Sequence, residues 1–144
     1  MQIKPLSLLR FLTNIYIEKM GLISMILGNA TSIDPEEIKK EFSEILIDGE
    51  KIESAYKVIR DKWVFTDLRL IVLDVQGVTG SKRSYHTLPY RNITQFCVDT
   101  PGTFDDDCQL SIWVKGSSQP FAKEFSRGTN IKEIQRMLAK HVLH

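Results

Sequence analysis

The chain has 144 residues, 42% of them apolar and 26% charged, which fits about one globular domain and excludes a disordered or fibrous segment. Nineteen Lys and Arg against eighteen Asp and Glu leave a formal charge of +1, so whole-molecule electrostatics favour neither nucleic acid nor an anionic membrane. Two cysteines, Cys97 and Cys108, and three histidines supply neither a C-x-x-C motif nor a zinc-ligand set; no metal and no cofactor is expected.

The first nineteen residues place Ile3, Leu6, Leu9, Leu12, Ile15 and Tyr16 near helical spacing, with Lys4, Arg10 and Lys19 between them. The favoured reading is a helix that packs on the body or on a second subunit; the alternative is a basic amphipathic helix on a membrane surface. Arg10, Asn14 and Glu18 interrupt the apolar stretch and argue against a signal peptide. A second apolar element, Leu22 to Leu27, ends at Gly28-Asn29 and is far short of the ~20 residues of a membrane span. A soluble, cytoplasmic, reducing setting is the expectation.

Asp34-Pro35-Glu36-Glu37 combines a capping carboxylate, a first-turn proline and a glutamate three residues after the cap. Ile38, Phe42, Ile45 and Leu46 follow as one apolar stripe, and Asp48-Gly49 stops the helix. From Lys51 the period becomes two. Ile52, Tyr56 and Val58 are assigned to one face, with Lys51, Glu53 and Lys57 on the other. Arg60-Asp61-Lys62 is read as a tight break before a strand from Trp63 to Thr66, and Thr66-Asp67 as a turn before Arg69 to Val75.

That third strand carries Leu70, Ile71, Val72 and Leu73 in succession, so both of its faces are apolar. One face must meet the interior. The other must be covered by the N-terminal helices or by another subunit, which makes Ile71 and Leu73 candidate interface residues. A strand from Lys82 to Leu88 follows the Gly77 to Gly80 turn region and ends at Pro89.

For the next hairpin, Phe96 set opposite Ile112 places Val98 opposite Leu110 and Thr100 opposite Cys108, all inward. The same register sends Cys97 outward opposite Ser111 and Gln95 outward opposite Trp113. The two thiols then lie on opposite faces and cannot bridge within one chain. Trp113, beside Gln95, is the leading interface candidate. Phe121 to Ser126 is expected as a seventh strand, although the i, i+4 spacing of Phe121 and Phe125 also permits a helical turn, and Asn130 with Glu133 opens a final helix striped by Ile131, Ile134, Met137, Leu138 and Val142.

This order, with the stretches GLISMILGNA, IDPEEI, LIDGEKIESAYKVIRD, VFTDLRLIVLD, QGVTGSKRSYHTLPY, GTFDDD, IWVKGSS and KEFSRGTNIKEIQ, resembles the bacterial pleckstrin-homology (PH) family. The resemblance runs from about Met20 to the end. Residues 1–19 fall outside it, as an extension or an alternative start before a domain spanning 20–144.

It implies a β-rich α+β fold: a PH-like, partly open barrel of seven antiparallel strands, capped by a C-terminal amphipathic helix and preceded by N-terminal helices. It also implies closed homo-oligomeric rings of about five subunits. Fold alone names no activity.

Lipid-binding relatives cradle a headgroup in the loop between the first two strands, which here is the short Arg60-Asp61-Lys62. Lys57, Arg60, Lys62, Lys82 and Arg83 are the candidates for a weak anion or lipid site on one rim, with solvated strand ends as the favoured reading. Arg69 is expected to pair with Asp67 or Asp74, or to hold turn carbonyls. Asp105-Asp106-Asp107 lacks the glycine and distal glutamate of a calcium loop. His86 has no recognisable nucleophile partner, and no phosphate loop or nucleophile elbow occurs. The expectation is a non-enzymatic scaffold that assembles with itself and binds a protein partner. A peripheral membrane role is second, and nucleic acid is not expected.

Overall fold

The computed structural model describes residues 31–100, 107–125 and 131–144, together with Leu12 and Gly102. The helices expected within 1–19 and Leu22–Leu27, and the Asn130 half of the capping box, lie outside the described residues. Eight strands are described where the sequence suggested seven. The additional one is β1 (Thr31–Ile33), three residues just ahead of the helix cap, too short for any alternation to register.

Asp34 caps α1 (Pro35–Glu41) as its residue types require. Its side chain accepts the Glu36 N–H at 3.0 Å, Pro35 occupies the first turn, and Glu36 and Glu37 face the positive end of the helix. Hydrogen-bonded turns continue the same stripe, Ile45 N–H to Phe42 O and Leu46 N–H to Phe42 O, until Gly49 leaves the right-handed region at φ +82.

A five-stranded antiparallel sheet then runs in the order β1-β2-β3-β4-β5, with β2 (Ile52–Val58), β3 (Asp61–Thr66), β4 (Arg69–Gln76) and β5 (Lys82–Pro89). A short 3-10 turn, Tyr90–Asn92, leads to a three-stranded sheet of β6 (Ile93–Asp99), β7 (Cys108–Val114) and β8 (Phe121–Phe125). The chain closes with α2 (Ile131–Val142), whose Ile131, Ile134 and Leu138 are buried.

The main core lies between the two sheets and under α2. Tyr56, Val58, Trp63, Phe65, Leu70 and Val72 of the first sheet meet Leu110, Ile112 and Phe125 of the second and the α2 stripe. Aromatic contacts tie it across sheets, with Trp63 5.4 Å from Phe125. The β6–β7 register is as alternation required: Phe96 opposite Ile112, Val98 opposite Leu110, Cys97 opposite Ser111 and Gln95 opposite Trp113.

A second core lies on the opposite face of the first sheet, and it accounts for the surplus apolar side of β4. Ile71 and Leu73 are 0% and 2% exposed, packed with Ala55 and Val64 beneath Ile38 and Phe42. The cover is supplied by α1 and the turns after it. Neither residue presents surface to a second copy, so their place as interface candidates is corrected: each is intrachain core. Burying side chains such as Ile38 and Phe42 contributes about 1.5–3 kcal/mol apiece.

Ile52 also departs from expectation. An irregularity between Ile52 and Ser54 shifts the β2–β3 register, so Ile52 packs in this second core while Tyr56 and Val58 face the first.

Candidate functional site

Three surfaces concentrate chemistry, two of them built where strand ends meet. The first contains Arg69, the first residue of β4. Its Nε donates to Glu50 Oε1 at 2.9 Å and its Nη2 to Glu50 Oε2 at 3.0 Å, a bidentate pair. Nη2 also reaches Ile45 O at 2.8 Å, and Nη1 donates to Thr87 Oγ1 at 3.1 Å. The expected partners Asp67 and Asp74 are engaged elsewhere: Asp67 accepts the Lys51 N–H, and Asp74 pairs with Lys123.

Glu50 is fully covered, and Thr66 Oγ1 donates to it at 2.7 Å. Burial raises its pKa, but hydrogen bonds from Arg69, Thr66 and the Ile47 N–H outweigh that and hold the carboxyl below its ordinary range. The cluster is structural: it pins the turns after α1 to the β3–β4 turn and β5.

The same end of the fold carries a cleft of about 810 Å³ lined by Ile47, Leu68, Arg91, Lys140, His141 and neighbouring residues. In its wall the His141 ring stacks on Tyr90, 4.4 Å away at 6°, while Tyr90 Oη donates to Thr66 O at 2.7 Å. Glu53 Oε2 lies 2.9 Å from His141 Nε2. Burial nevertheless pushes the imidazole below its ordinary pKa, ahead of the raising effect of Glu53. No sequence motif pointed to this cleft, because its walls come from five separated stretches.

The second surface is the opposite end, where the β2–β3 and β4–β5 hairpins lie side by side. Inside the mouth, acids dominate. Lys123 of β8 sits 2.7 Å from Asp74 Oδ1 and 3.5 Å from Asp61 Oδ2, and Asp61 Oδ1 accepts the Val75 N–H at 2.9 Å. Glu124 lines the same opening, as does Arg60, which also lines the cavity outside it. A headgroup phosphate entering there would meet carboxylates whose cation is already engaged.

Outside the mouth the sign reverses. Lys57, Arg60, Lys62 and Arg83 line one open cavity of about 470 Å³, with Glu41 as the acid among its described lining residues. Four of the five cations proposed from the sequence are therefore brought together. Lys82, opposite Gln76 at the start of β5, is exposed and outside that lining. Two of the four have structural duties: Lys62 pairs with Glu41, and Arg60 Nη2 donates to Val75 O at 3.2 Å and Gly77 O at 2.6 Å. The β2–β3 turn is Ile59-Arg60, one residue earlier than the sequence indicated, since Val58 pairs with Asp61.

The third surface is the outer face of the second sheet. Trp113 is half-buried there opposite the exposed Gln95, and Cys97 lies opposite the buried Ser111. Cys108 is on the inner face, packed against the main core. His86 packs on Phe121 with ring centres 4.9 Å apart. Among the described residues no group of three His, Cys, Asp or Glu is placed to hold a metal, and no helix is long and apolar enough to cross a membrane.

Comparison with known proteins agrees with this geometry. The family model described as Bacterial PH domain matches residues 21–142. The protein YjqA of Bacillus subtilis, described as uncharacterized, is 44% identical over 121 residues, covering 83% of this chain and 97% of that protein.

Among solved structures, a pleckstrin homology domain from Shewanella amazonensis is similar with a TM-score of 0.76 and 45% identity, covering 86% of this chain and 100% of that one. A DUF1696 family protein with a pleckstrin-homology domain from Shewanella loihica gives a TM-score of 0.68 and 46% identity, covering 80% and 98%. Two sheets of five and three strands, a C-terminal helix closing the core between them, and these matches together identify the chain as a member of the bacterial PH domain family.

Proposed function

We propose that the chain is a non-enzymatic binding module that assembles with copies of itself through an open sheet edge. On this reading β2 to β8 are the seven strands of a partly open barrel plugged by α2, and β1 is an added edge strand. The observation that carries it is β5: eight residues at the edge of the first sheet, paired with β4 on one side and with no described strand on the other. A long edge of this kind is a template for a strand of another chain. Tyr85, 44% exposed and set edge-on against Phe42 at 5.9 Å, extends the sticky surface beside it.

Pairing β5 with a different edge of the next copy is a heterologous contact, which closes into a ring when the rotation per copy divides a full turn. Trp113 and Gln95 are the second proposed contact, for a neighbouring copy or a protein partner. Size-exclusion chromatography with light scattering at micromolar concentration tests the reading. An oligomer that falls apart, still folded, on Tyr85→Lys or Trp113→Glu supports it. A wild-type monomer sinks it.

A second reading, attachment to an anionic membrane surface, is favoured by the convergence of Lys57, Arg60, Lys62 and Arg83 outside the mouth. Its test is sedimentation with anionic vesicles, expected to weaken with salt, with Lys57→Glu/Arg83→Glu, and on removal of Met1 to Lys19.

A further inference from the structure

The cleft beside His141 and an acidic stretch free of cations lie at opposite ends of β6. Exposed apolar side chains gather at the cleft: Ile47 at 60% and Leu68 at 50% line it, and Leu143 at 75% sits between the wall residues Val142 and His144. Arg91 on its rim forms no ion pair among the described residues, nor do Lys132 and Arg136 of α2. Lys132, Arg136 and Lys140 recur every fourth residue as an exposed ridge. They line an opening of about 550 Å³ that meets the cleft at Lys140.

The acids of both linings are engaged within the chain. Glu53 faces His141 and Lys140 at 2.9 and 3.5 Å, Asp67 accepts the Lys51 N–H, and Glu133 accepts from Tyr56 Oη at 3.0 Å. An occupant with an apolar side chain and several carboxylates therefore complements this surface. Residues 1–19, with Lys4, Arg10 and Lys19 against Glu18, carry the wrong sign for it.

The chain holds one segment of the required kind. No lysine or arginine occurs from Asn92 to Val114, a stretch that contains Asp99, Asp105, Asp106 and Asp107. Phe104 directly precedes the run of three. These residues fall in the connection 100–107 between β6 and β7, longer than the about two to five residues a hairpin needs. Strand β6 separates it from Arg91 by roughly 20 Å. Running out and back, the connection reaches only about 13 Å, so it cannot fill the cleft of its own chain.

We propose that the β6–β7 connection of one copy docks on the cleft and α2 ridge of the next. Phe104 lies against Ile47, Leu68 and Val142, with the three aspartates along Arg91, Lys140 and Arg136. The proposal rests on the self-assembly reading and adds a contact separate from the β5 edge. Its two surfaces are different parts of the chain, so the contact is heterologous and repeats from copy to copy.

The test is size-exclusion chromatography with light scattering on the full chain across a concentration series. The variants are Asp105→Lys/Asp106→Lys and Arg91→Glu/Arg136→Glu, with circular dichroism melting to verify folding. Each should need roughly tenfold more protein to reach the wild-type mass. An equimolar mixture should reassemble, because each reversed surface meets its complement on the other variant, a rescue that a folding defect would not give.

A wild-type oligomer whose mass neither variant changes would overturn the docking, leave the β5 edge standing, and return the cleft to residues 1–19 or another protein. Variants that dissociate alone and stay apart when mixed would overturn the pairing of these two surfaces. A wild-type monomer would overturn both this contact and the self-assembly reading.

Discussion

Arg69 and Glu50 form a bidentate pair, at 2.9 and 3.0 Å, that joins the end of the α1 region to the β3–β4 turn. Glu50 has no exposed side-chain surface, so its charge depends on that guanidinium and on Thr66. Removing one partner of a covered ion pair leaves the other charge uncompensated. Arg69→Ala should therefore destabilise by roughly 3 kcal/mol, read from the urea midpoint. An Arg69→Met/Glu50→Leu pair should lie much closer to wild type, because an apolar replacement of both partners leaves no stranded charge.

Stability should fall with acid in two stages. The folded His141 pKa lies below its ordinary 6.5, so the unfolded chain binds more protons just below that pH, and stability declines as pH falls from there. Around this imidazole lie Glu53 from β2, Asp67 from the β3–β4 turn, and Lys140 and His144 from its own end of the chain. Glu50 and Asp74 have depressed folded values, so their contributions hold above their ordinary 4.5 and 3.8 and are lost as pH falls through the folded values. Urea midpoints measured against pH should show both limbs. His141→Phe, which keeps a ring against Tyr90 and Phe65, should flatten the upper one.

The two apolar faces of β4 predict different behaviour from an interface. Phe42→Ala should cost about 3 to 5 kcal/mol by opening a cavity over Ile71 and Leu73. Ile71→Asp should abolish the cooperative thermal transition, since it buries an unpaired charge. Trp113→Glu, on a half-buried outer position, should melt within a few degrees of wild type.

Ile59→Gly should raise stability by roughly 0.5 to 1 kcal/mol, as relief of the left-handed strain exceeds the added entropy of glycine in the unfolded chain. An unchanged or lowered melting temperature would show that the turn is not strained at that residue.

Cys97 and Cys108 should give no intramolecular disulfide under oxidation, because the β6–β7 register puts them on opposite faces of the hairpin. Any oxidised product on a non-reducing gel should be intermolecular and should vanish in Cys97→Ser.

Much of the fold was legible because its signals are local. Asp34, Pro35 and Glu37 mark a helix start within four residues, and the alternation of Phe96, Val98, Leu110 and Ile112 fixes a register to the residue. The same local logic missed β1, which has three residues, and mispaired the face of Ile52, because a bulge changes parity without a residue type that announces it.

By itself, then, the sequence determined the element types, the hairpin register, the separation of the two thiols and the need to cover both faces of β4. Only the tertiary structure decided what does the covering. Ile38 and Phe42 reach Ile71 and Leu73 from some thirty residues away, so the apolar surplus, for which the sequence left the N-terminal helices or another subunit as cover, is met by α1. Likewise Arg69 finds Glu50 nineteen positions back, and Lys57, Arg60, Lys62 and Arg83 converge beside Ile59 and Val78 only where two hairpins align. Periodicity reports which side of an element is apolar. Which distant side chain meets that side is set by chain closure in three dimensions, and no spacing along the sequence encodes it.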